Sequence, residues 1–377
     1  MVSSKIAVIG AGIFGASTAL ELADRGHRVT LVEQFDQGDS RTTSNGLTRN
    51  IRFSHAGDEW YTRSAWMARS LWKELENRLS TELMVECGVA WFSHDEDGWG
   101  ALSLKTLESE GIPVERIDPS EGERLYPSFN GDDLSFIVFE PTGGILRARK
   151  SVNALRSAFS EMGGNFIQGR AENIGGRVMV NGTDVGGDIV VWACGPWIPL
   201  LFDLGMDLQV TTQEVIFFES PPEWDAPNVP AYTDIEEAFY GCGGCEGRPF
   251  KLASDVRGKE FNPDKDEREL SKEQLKWCKD YLTKRFPDLS GAKVKERRLC
   301  QYTSTSDSNW IVAQVPGFNH QWIVGAGSGH GFKHGPALGK YVADLIEEKT
   351  KPETKFAINE RPYNSGGWLH LYNKQHL

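Results

Sequence analysis

Residues 5–34 constrain the fold more than any other stretch of this 377-residue chain. An apolar run, Ile6 to Ile9, meets a glycine turn. A helix-period run (Ala16, Ala19, Leu20, Ala23) follows, and a second strand-like run, Val29 to Val32, closes the unit. Gly10, Gly12 and Gly15 spell G-x-G-x-x-G. The first glycine permits the tight turn, the second lets the backbone approach a pyrophosphate, and the third lets the helix pack close to the strand. Ile13 and Phe14 open the helix whose unpaired N–H groups then face the phosphates. Glu33 ends the second strand, where a carboxylate can hold ribose hydroxyls. An acid there, rather than an arginine, favours FAD or NAD over NADP. With strand, helix, strand and acid in sequence, the stretch predicts a dinucleotide site in an α/β fold.

The polar loop Asp36–Asn50 could bring Arg41, Ser44, Asn45 and Arg49 to the dinucleotide, or simply be solvated. The periodicity predicts a helix over 59–78 with Trp66, Leu71, Trp72 and Leu75 as a core stripe. Short strands (Val89–Phe92, Ser135–Phe139) then flank an exposed Asp/Glu-rich section, a first excursion into a second domain. A helix over 148–161 and a buried strand ending at Ala193-Cys194-Gly195 return to the nucleotide sheet. Strand-like runs at Gln213–Glu219 and Phe250–Ala253, a Gly/Cys loop (Gly241–Gly247) and an amphipathic helix (Lys272–Phe286) form a second departure. A strand from Trp322, a glycine turn and a helix over 335–348 come back, followed by a polar, irregular tail. The expected division is 1–85, 145–208 and 306–360 for nucleotide binding, 86–144 and 209–305 for substrate, and 361–377 as tail. Two interruptions of this kind suit a flavoprotein better than a simple NAD dehydrogenase.

A net charge of −12 disfavours nucleic acid and anionic membrane as partners. Scattered cysteines suggest a reduced, intracellular setting without a disulfide framework. No apolar run is long enough to span a membrane, and the dinucleotide motif leaves no room for a signal peptide ahead of it. A cytoplasmic location is expected. The C-terminal Gln375-His376-Leu377 weakly suggests a peroxisomal alternative, with Gln375 departing from that signal. Cys242-Gly-Gly-Cys245 supplies only two metal ligands, so no metal site is expected.

Thr48-Arg49-Asn50-Ile51-Arg52, Ala193-Cys194-Gly195-Pro196-Trp197, Tyr240…Lys251, Cys300-Gln301-Tyr302-Thr303 and Gly329-His330-Gly331-Phe332-Lys333 follow the opening motif in order. Together they resemble the FAD-dependent amine oxidases of the D-amino-acid oxidase superfamily, in the branch of monomeric sarcosine and N-methyltryptophan oxidases. The resemblance implies a glutathione-reductase-like FAD-binding Rossmann domain with an inserted α+β substrate domain on a mixed or antiparallel sheet, acting as a monomer. It also implies hydride transfer from a small secondary amine bearing a carboxylate (an N-methyl or cyclic amino acid) to FAD, and O₂ reduction to hydrogen peroxide.

Residue by residue, the resemblance makes Cys300 the 8α-S-cysteinyl link to the flavin. Lys295, Arg297 and Arg298, close in sequence, could lower its thiol pKa; read alone, Cys300 could equally be a small buried hydrophobe. Lys251 matches the lysine that activates oxygen, where a fixed cation stabilises developing superoxide. Arg52 and Lys333 match the pair that holds the substrate carboxylate. Gly329, Gly331 and Phe332 match residues around the cofactor, and His330 would polarise the ring or merely pack. Tyr240 and Tyr302 would enclose the substrate or fill the core. Asp255 departs from the family: sarcosine-oxidising members carry a histidine four residues after the lysine, whereas fructosyl-amine oxidases carry an acid. Alternatives are therefore a fructosyl-amino-acid oxidase, or an amine dehydrogenase with another electron acceptor.

Overall fold

The computed structural model describes residues 3–359 and Arg361. The expected tail, 361–377, with its terminal tripeptide, otherwise lies outside the described residues. The α/β class is as expected. A six-stranded sheet runs Ile311–Val315, Phe318–Gly325, Ile189–Trp192, Lys5–Ile9, Arg28–Glu33, Asn165–Gln168. Lys5–Ile9 lies parallel to strands on both sides, so its side chains are covered on both faces, and Ile6 and Val8 are fully buried. Strands from the beginning, middle and end of the chain thus lie side by side inside one sheet, next to the glycine turn that follows Ile9. Helix Ile13–Asp24 packs against helices Ala148–Glu161 and Gly335–Ile346.

The second layer is an eight-stranded sheet in the order Val294–Thr305, Leu208–Phe218, Phe250–Ser254, Phe239–Cys242, Ala231–Asp234, Val89–Ser93, Phe136–Glu140, Glu115–Ile117. It is antiparallel except where Ala231–Asp234 runs parallel to Val89–Ser93. One face packs on aromatic rings, among them Phe92, Tyr126, Trp224, Tyr232 and Phe286, and helix Lys272–Arg285 contributes Tyr281 and Leu282 to that core. A small sheet of Thr48–Ile51, Gly144–Arg147 and Met84–Val85 stands beside the two large ones. No described helix is long and apolar enough to cross a membrane.

Five local expectations differ from the structure. The acidic section after Phe92 contains a helix, Trp99–Ser109; its inner face is built of small residues such as Gly100 and Ser103 and gives little apolar period. Gly241 and Cys242 belong to a strand rather than a loop. The end of the Asp36–Asn50 loop is the strand Thr48–Ile51. The polar tail is pinned by Phe356, which is fully buried in the core. In the predicted core stripe, Trp72 and Leu75 are buried, while Trp66 and Leu71 are only partly so.

Candidate active site

Gly10 has φ +98° and a Cβ there would come 2.5 Å from the Ala193 carbonyl oxygen; only glycine fits. A Cβ on Gly15 would collide with the Gly10 carbonyl oxygen, which ties the helix directly to the turn. The cleft above, about 940 Å³, is bounded by Gly12, Ile13, Phe14 and Glu33 on one side and by Cys194-Gly195-Pro196 and Gly325–Gly329 on the other. Glu33 is buried at its wall. Its Oε2 accepts from the Ala11 N–H at 2.9 Å and Oε1 from the Phe35 N–H at 3.1 Å. Arg156, which sequence reasoning missed, lies 3.4 Å from Glu33 and donates to the Ala11 carbonyl. Ser44 Oγ accepts from Ile13 N–H at 3.0 Å, so the polar loop folds over the helix N-terminus. Arg41 instead pairs with Asp39 at the surface, its side chain half exposed. A glycine cradle, a helix N-terminus with no capping side chain at Gly12 and an acid at the second strand's end fit a dinucleotide such as FAD.

A second cleft of about 1200 Å³ shares Arg49, Tyr302, Gly329 and Phe332 with the first, so the two form one trough. It brings together Arg52, Tyr240, Lys251, Asp255, Cys300, Tyr302, His330 and Lys333, residues scattered over most of the chain. Lys251 sits in a wholly buried strand and is 3% exposed. Its Nζ donates to the Thr48 carbonyl at 3.3 Å and lies 5.5 Å from the Tyr240 ring centre. Burial pulls its pKa down to about 8. The Tyr240 and Tyr302 hydroxyls are hydrogen-bonded at 3.0 Å. Burial, and next the charge of Asp255, raise the Tyr240 phenol's pKa, so it stays protonated and able to donate.

Lys333 is 2% exposed and its Nζ donates to the His330 carbonyl at 2.8 Å. Burial, then the Arg52 charge, hold its pKa well below the ordinary lysine value; Glu140 acts in the opposite sense. The Arg52 guanidinium donates to the Ser54 carbonyl at 2.9 Å and lies 4.6 Å over the Trp91 ring. Glu140, invisible to sequence reasoning, anchors this corner from full burial. It accepts from the Trp91 indole N–H at 2.7 Å, Ser54 N–H at 3.0 Å and Ser54 Oγ–H at 2.5 Å, and Phe53 N–H at 2.5 Å. Trp72, from the predicted core stripe, reaches the site by donating its indole N–H to the Lys333 carbonyl at 2.8 Å. His330 packs its ring on Trp310 (5.5 Å, 25°) and sets Nε2 3.0 Å from the Ser308 carbonyl. Burial and the nearby Lys333 charge keep it, His55 and His334 as neutral imidazoles.

Cys300 is a free thiol at the trough wall, with Sγ 3.9 Å from Arg49 Nη2. The cations near it differ from those its sequence neighbours suggest. Lys295 and Arg297 pair with Glu219 at 2.7 Å and Glu214 at 2.5 Å. In a strand, alternate residues face opposite sides, and only Arg298 shares the face of Cys300; Arg49 reaches it from the small sheet. Arg49 itself donates to the Thr43 and Thr48 carbonyls at 2.7 and 2.8 Å, so it belongs to the wall rather than to solvent. Cys242 and Cys245 are free, and Cys242 is buried.

The family model for FAD dependent oxidoreductases, DAO, matches residues 5–345. The chain is 28% identical to a monomeric sarcosine oxidase from Streptomyces avermitilis, covering 90% of this chain and 92% of the relative. Its fold is shared with an L-proline dehydrogenase from P. horikoshii (TM-score 0.81, 23% identity, covering 94% of this chain and 97% of the other). It is also shared with a fructosyl peptide oxidase (TM-score 0.81, 20% identity, covering 95% and 94%). A dinucleotide cradle opening onto a buried cation-lined cavity, together with a family match from the first strand to the last helix, shows that this chain belongs to the DAO family of FAD-dependent oxidoreductases.

Proposed function

We propose that the protein oxidises a small secondary amine carrying an α-carboxylate, an N-methyl or cyclic amino acid, with O₂ as electron acceptor and hydrogen peroxide as product. The observation that carries this reading is the pairing of Arg52 with Lys333 in one buried cavity that also contains Lys251. Two cationic side chains lining one buried cavity offer a substrate carboxylate a fork and a point charge. The sarcosine-oxidase relative supports the same substrate class. The glycine cradle, Glu33 and the loop at Ser44 would hold FAD, which would supply the two-electron redox chemistry that side chains lack. The chain's own residues bind and orient. Arg52 and Lys333 fix the carboxylate, the Tyr240–Tyr302 hydroxyl pair offers hydrogen bonds to the bound amine, and Lys251 provides a fixed positive charge where O₂ is reduced. A neutral amine needs no strong side-chain base, and the neutral state of His330 fits that economy.

Cys300 is the group proposed to bond the flavin 8α-methyl. Its thiol stands on the trough wall, with Arg49 Nη2 3.9 Å from the sulfur. Cys300→Ala is expected to release its flavin on acid precipitation while wild type retains it; flavin retained by the mutant would remove Cys300 as the link.

The test of function is anaerobic titration of the purified yellow protein with sarcosine, N-methyltryptophan, L-proline, L-pipecolate and a fructosyl amino acid. Bleaching of the visible flavin band by an N-methyl or cyclic amino acid supports the reading, and no bleaching by any of them overturns it. A second reading rests on Asp255, an acid in the cavity whose charge reaches Tyr240. Bleaching by the sugar conjugate alone would assign a fructosyl-amine oxidase. Rapid bleaching with poor reoxidation by air, but good reduction of a dye, would assign a dehydrogenase.

A further inference from the structure

Cys242 and Cys245 are free thiols, and Cys242 is 1% exposed and stands directly opposite Lys251 in the antiparallel ladder. Facing residues of such a ladder project to the same side, with Cβ atoms about 5 Å apart. Cys242 Sγ lies 3.8 Å from Thr48 Oγ1. The same hydroxyl is 3.5 Å from Lys251 Nζ, and the Thr48 carbonyl accepts from that Nζ at 3.3 Å. Thiol, hydroxyl and ammonium therefore form one buried chain linking the large sheet to the small one. Cys245 takes no part: its backbone is bonded to Arg248 in the following turn.

A lysine side chain has four rotatable bonds and holds one position only where acceptors define it. The ionisable groups acting most strongly on Lys251 are Cys242, Arg49, Cys300 and Arg298, with no carboxylate among them. Its acceptors are the two oxygens of Thr48. The carbonyl is fixed by the strand and shared with Arg49. The hydroxyl proton turns about the Cβ–Oγ1 bond unless a partner orients it. A hydroxyl oxygen has two lone pairs, so it can take the Cys242 thiol proton on one and the ammonium on the other.

We propose that Cys242 is a positioning residue for oxygen reduction, fixing the Thr48 hydroxyl and through it the Lys251 ammonium. The inference rests on the reading of Lys251 as the charge that serves O₂, and it adds what sets that charge in place.

The test compares wild-type holoenzyme with Cys242→Ala, Cys242→Ser, Thr48→Val and Lys251→Met in stopped-flow measurements of two rates: anaerobic reduction by amine, and reoxidation by O₂. Cys242→Ala is expected to slow reoxidation about tenfold, since a small misplacement of a positioned group costs that much or more, while reduction stays within about twofold. Cys242→Ser, which keeps a donor, should recover most of the loss, and Thr48→Val should slow reoxidation in the same sense. Reoxidation at the wild-type rate in Cys242→Ala, equal slowing of both rates, or no recovery with serine would overturn the proposal. Should the alanine variant fail to fold, Thr48→Val and Cys242→Ser decide: fast reoxidation in Thr48→Val overturns it. Lys251→Met separates the two levels. If it reoxidises normally, the role of Lys251 itself falls; if it is slow while Cys242→Ala is not, only the mount falls.

Discussion

Replacing Lys251 with Met is expected to slow reoxidation of the amine-reduced enzyme by O₂ by a factor on the order of 10² to 10³, the usual effect of removing one preorganised charge from a buried site. Reduction by amine should change far less. Methionine is unbranched and of similar length, so the wholly buried strand Phe250–Ser254 keeps its packing. What disappears is a positive charge in a water-poor cavity, where its field is strong. The pH dependence provides an independent check. Burial pulls the Lys251 pKa down to about 8, and the charged form is the one that helps O₂. Wild-type reoxidation should therefore hold steady below that value and decline as pH rises through it, whereas the Met variant should be slow and flat. Equal loss in both half-reactions would exclude this role. The sign for stability runs the other way. A lysine whose folded pKa lies below its unfolded one costs the fold stability most fully below about pH 8, and less as pH rises toward the unfolded value. At pH 7 the Met variant should melt higher than wild type. A gain in Tm beside a loss of reoxidation is the signature of a charge retained for function.

The nucleotide half of this site is legible in the sequence because its determinants are local. Gly10, Gly15 and Glu33 lie within one strand–turn–helix–strand unit, and the glycines meet each other's backbone. The cavity half is legible only where a residue breaks its local pattern. Lys251 stands out because a lysine interrupts an apolar strand. Glu140 and Arg156 do not stand out, because an acid at a strand end and an arginine on a helix look like surface residues until the fold closes over them. Trp72 reads correctly as core, but its indole N–H reaches Lys333 only through tertiary packing. The Val294–Thr305 strand hides for a related reason. Its charged first half is satisfied by Glu219 and Glu214 across the sheet, so it carries no apolar alternation. Of the cations expected beside Cys300, Lys295 and Arg297 fail on the same geometry, since adjacent residues in a strand face apart; Arg298 shares the face of the sulfur, and Arg49 joins it from another sheet.

The second large effect is expected at Arg52. In Arg52→Gln the amine concentration needed for half-maximal reduction should rise by a factor on the order of 10², since a charge-assisted, two-pronged carboxylate contact is lost, while reoxidation by O₂ is nearly unchanged. The argument turns on how the corner is charged. Arg52 and Lys333 repel each other, and burial adds to the cost of keeping both ionised. Glu140 is the nearby acid acting on Lys333, but four donors from Trp91, Ser54 and Phe53 already use its two oxygens. A substrate carboxylate would relieve both the repulsion and the desolvation, so binding energy is concentrated there. Removing Arg52 also removes the repulsion that depresses Lys333, leaving that lysine more readily protonated and partly compensating. The double variant Arg52→Gln/Lys333→Met should therefore lose more than the two single losses combined, which a double-mutant cycle on half-saturation for reduction would measure. Strictly additive losses would mean that the two cations do not share one carboxylate, and an unchanged half-saturation in Arg52→Gln would move the carboxylate site elsewhere in the trough.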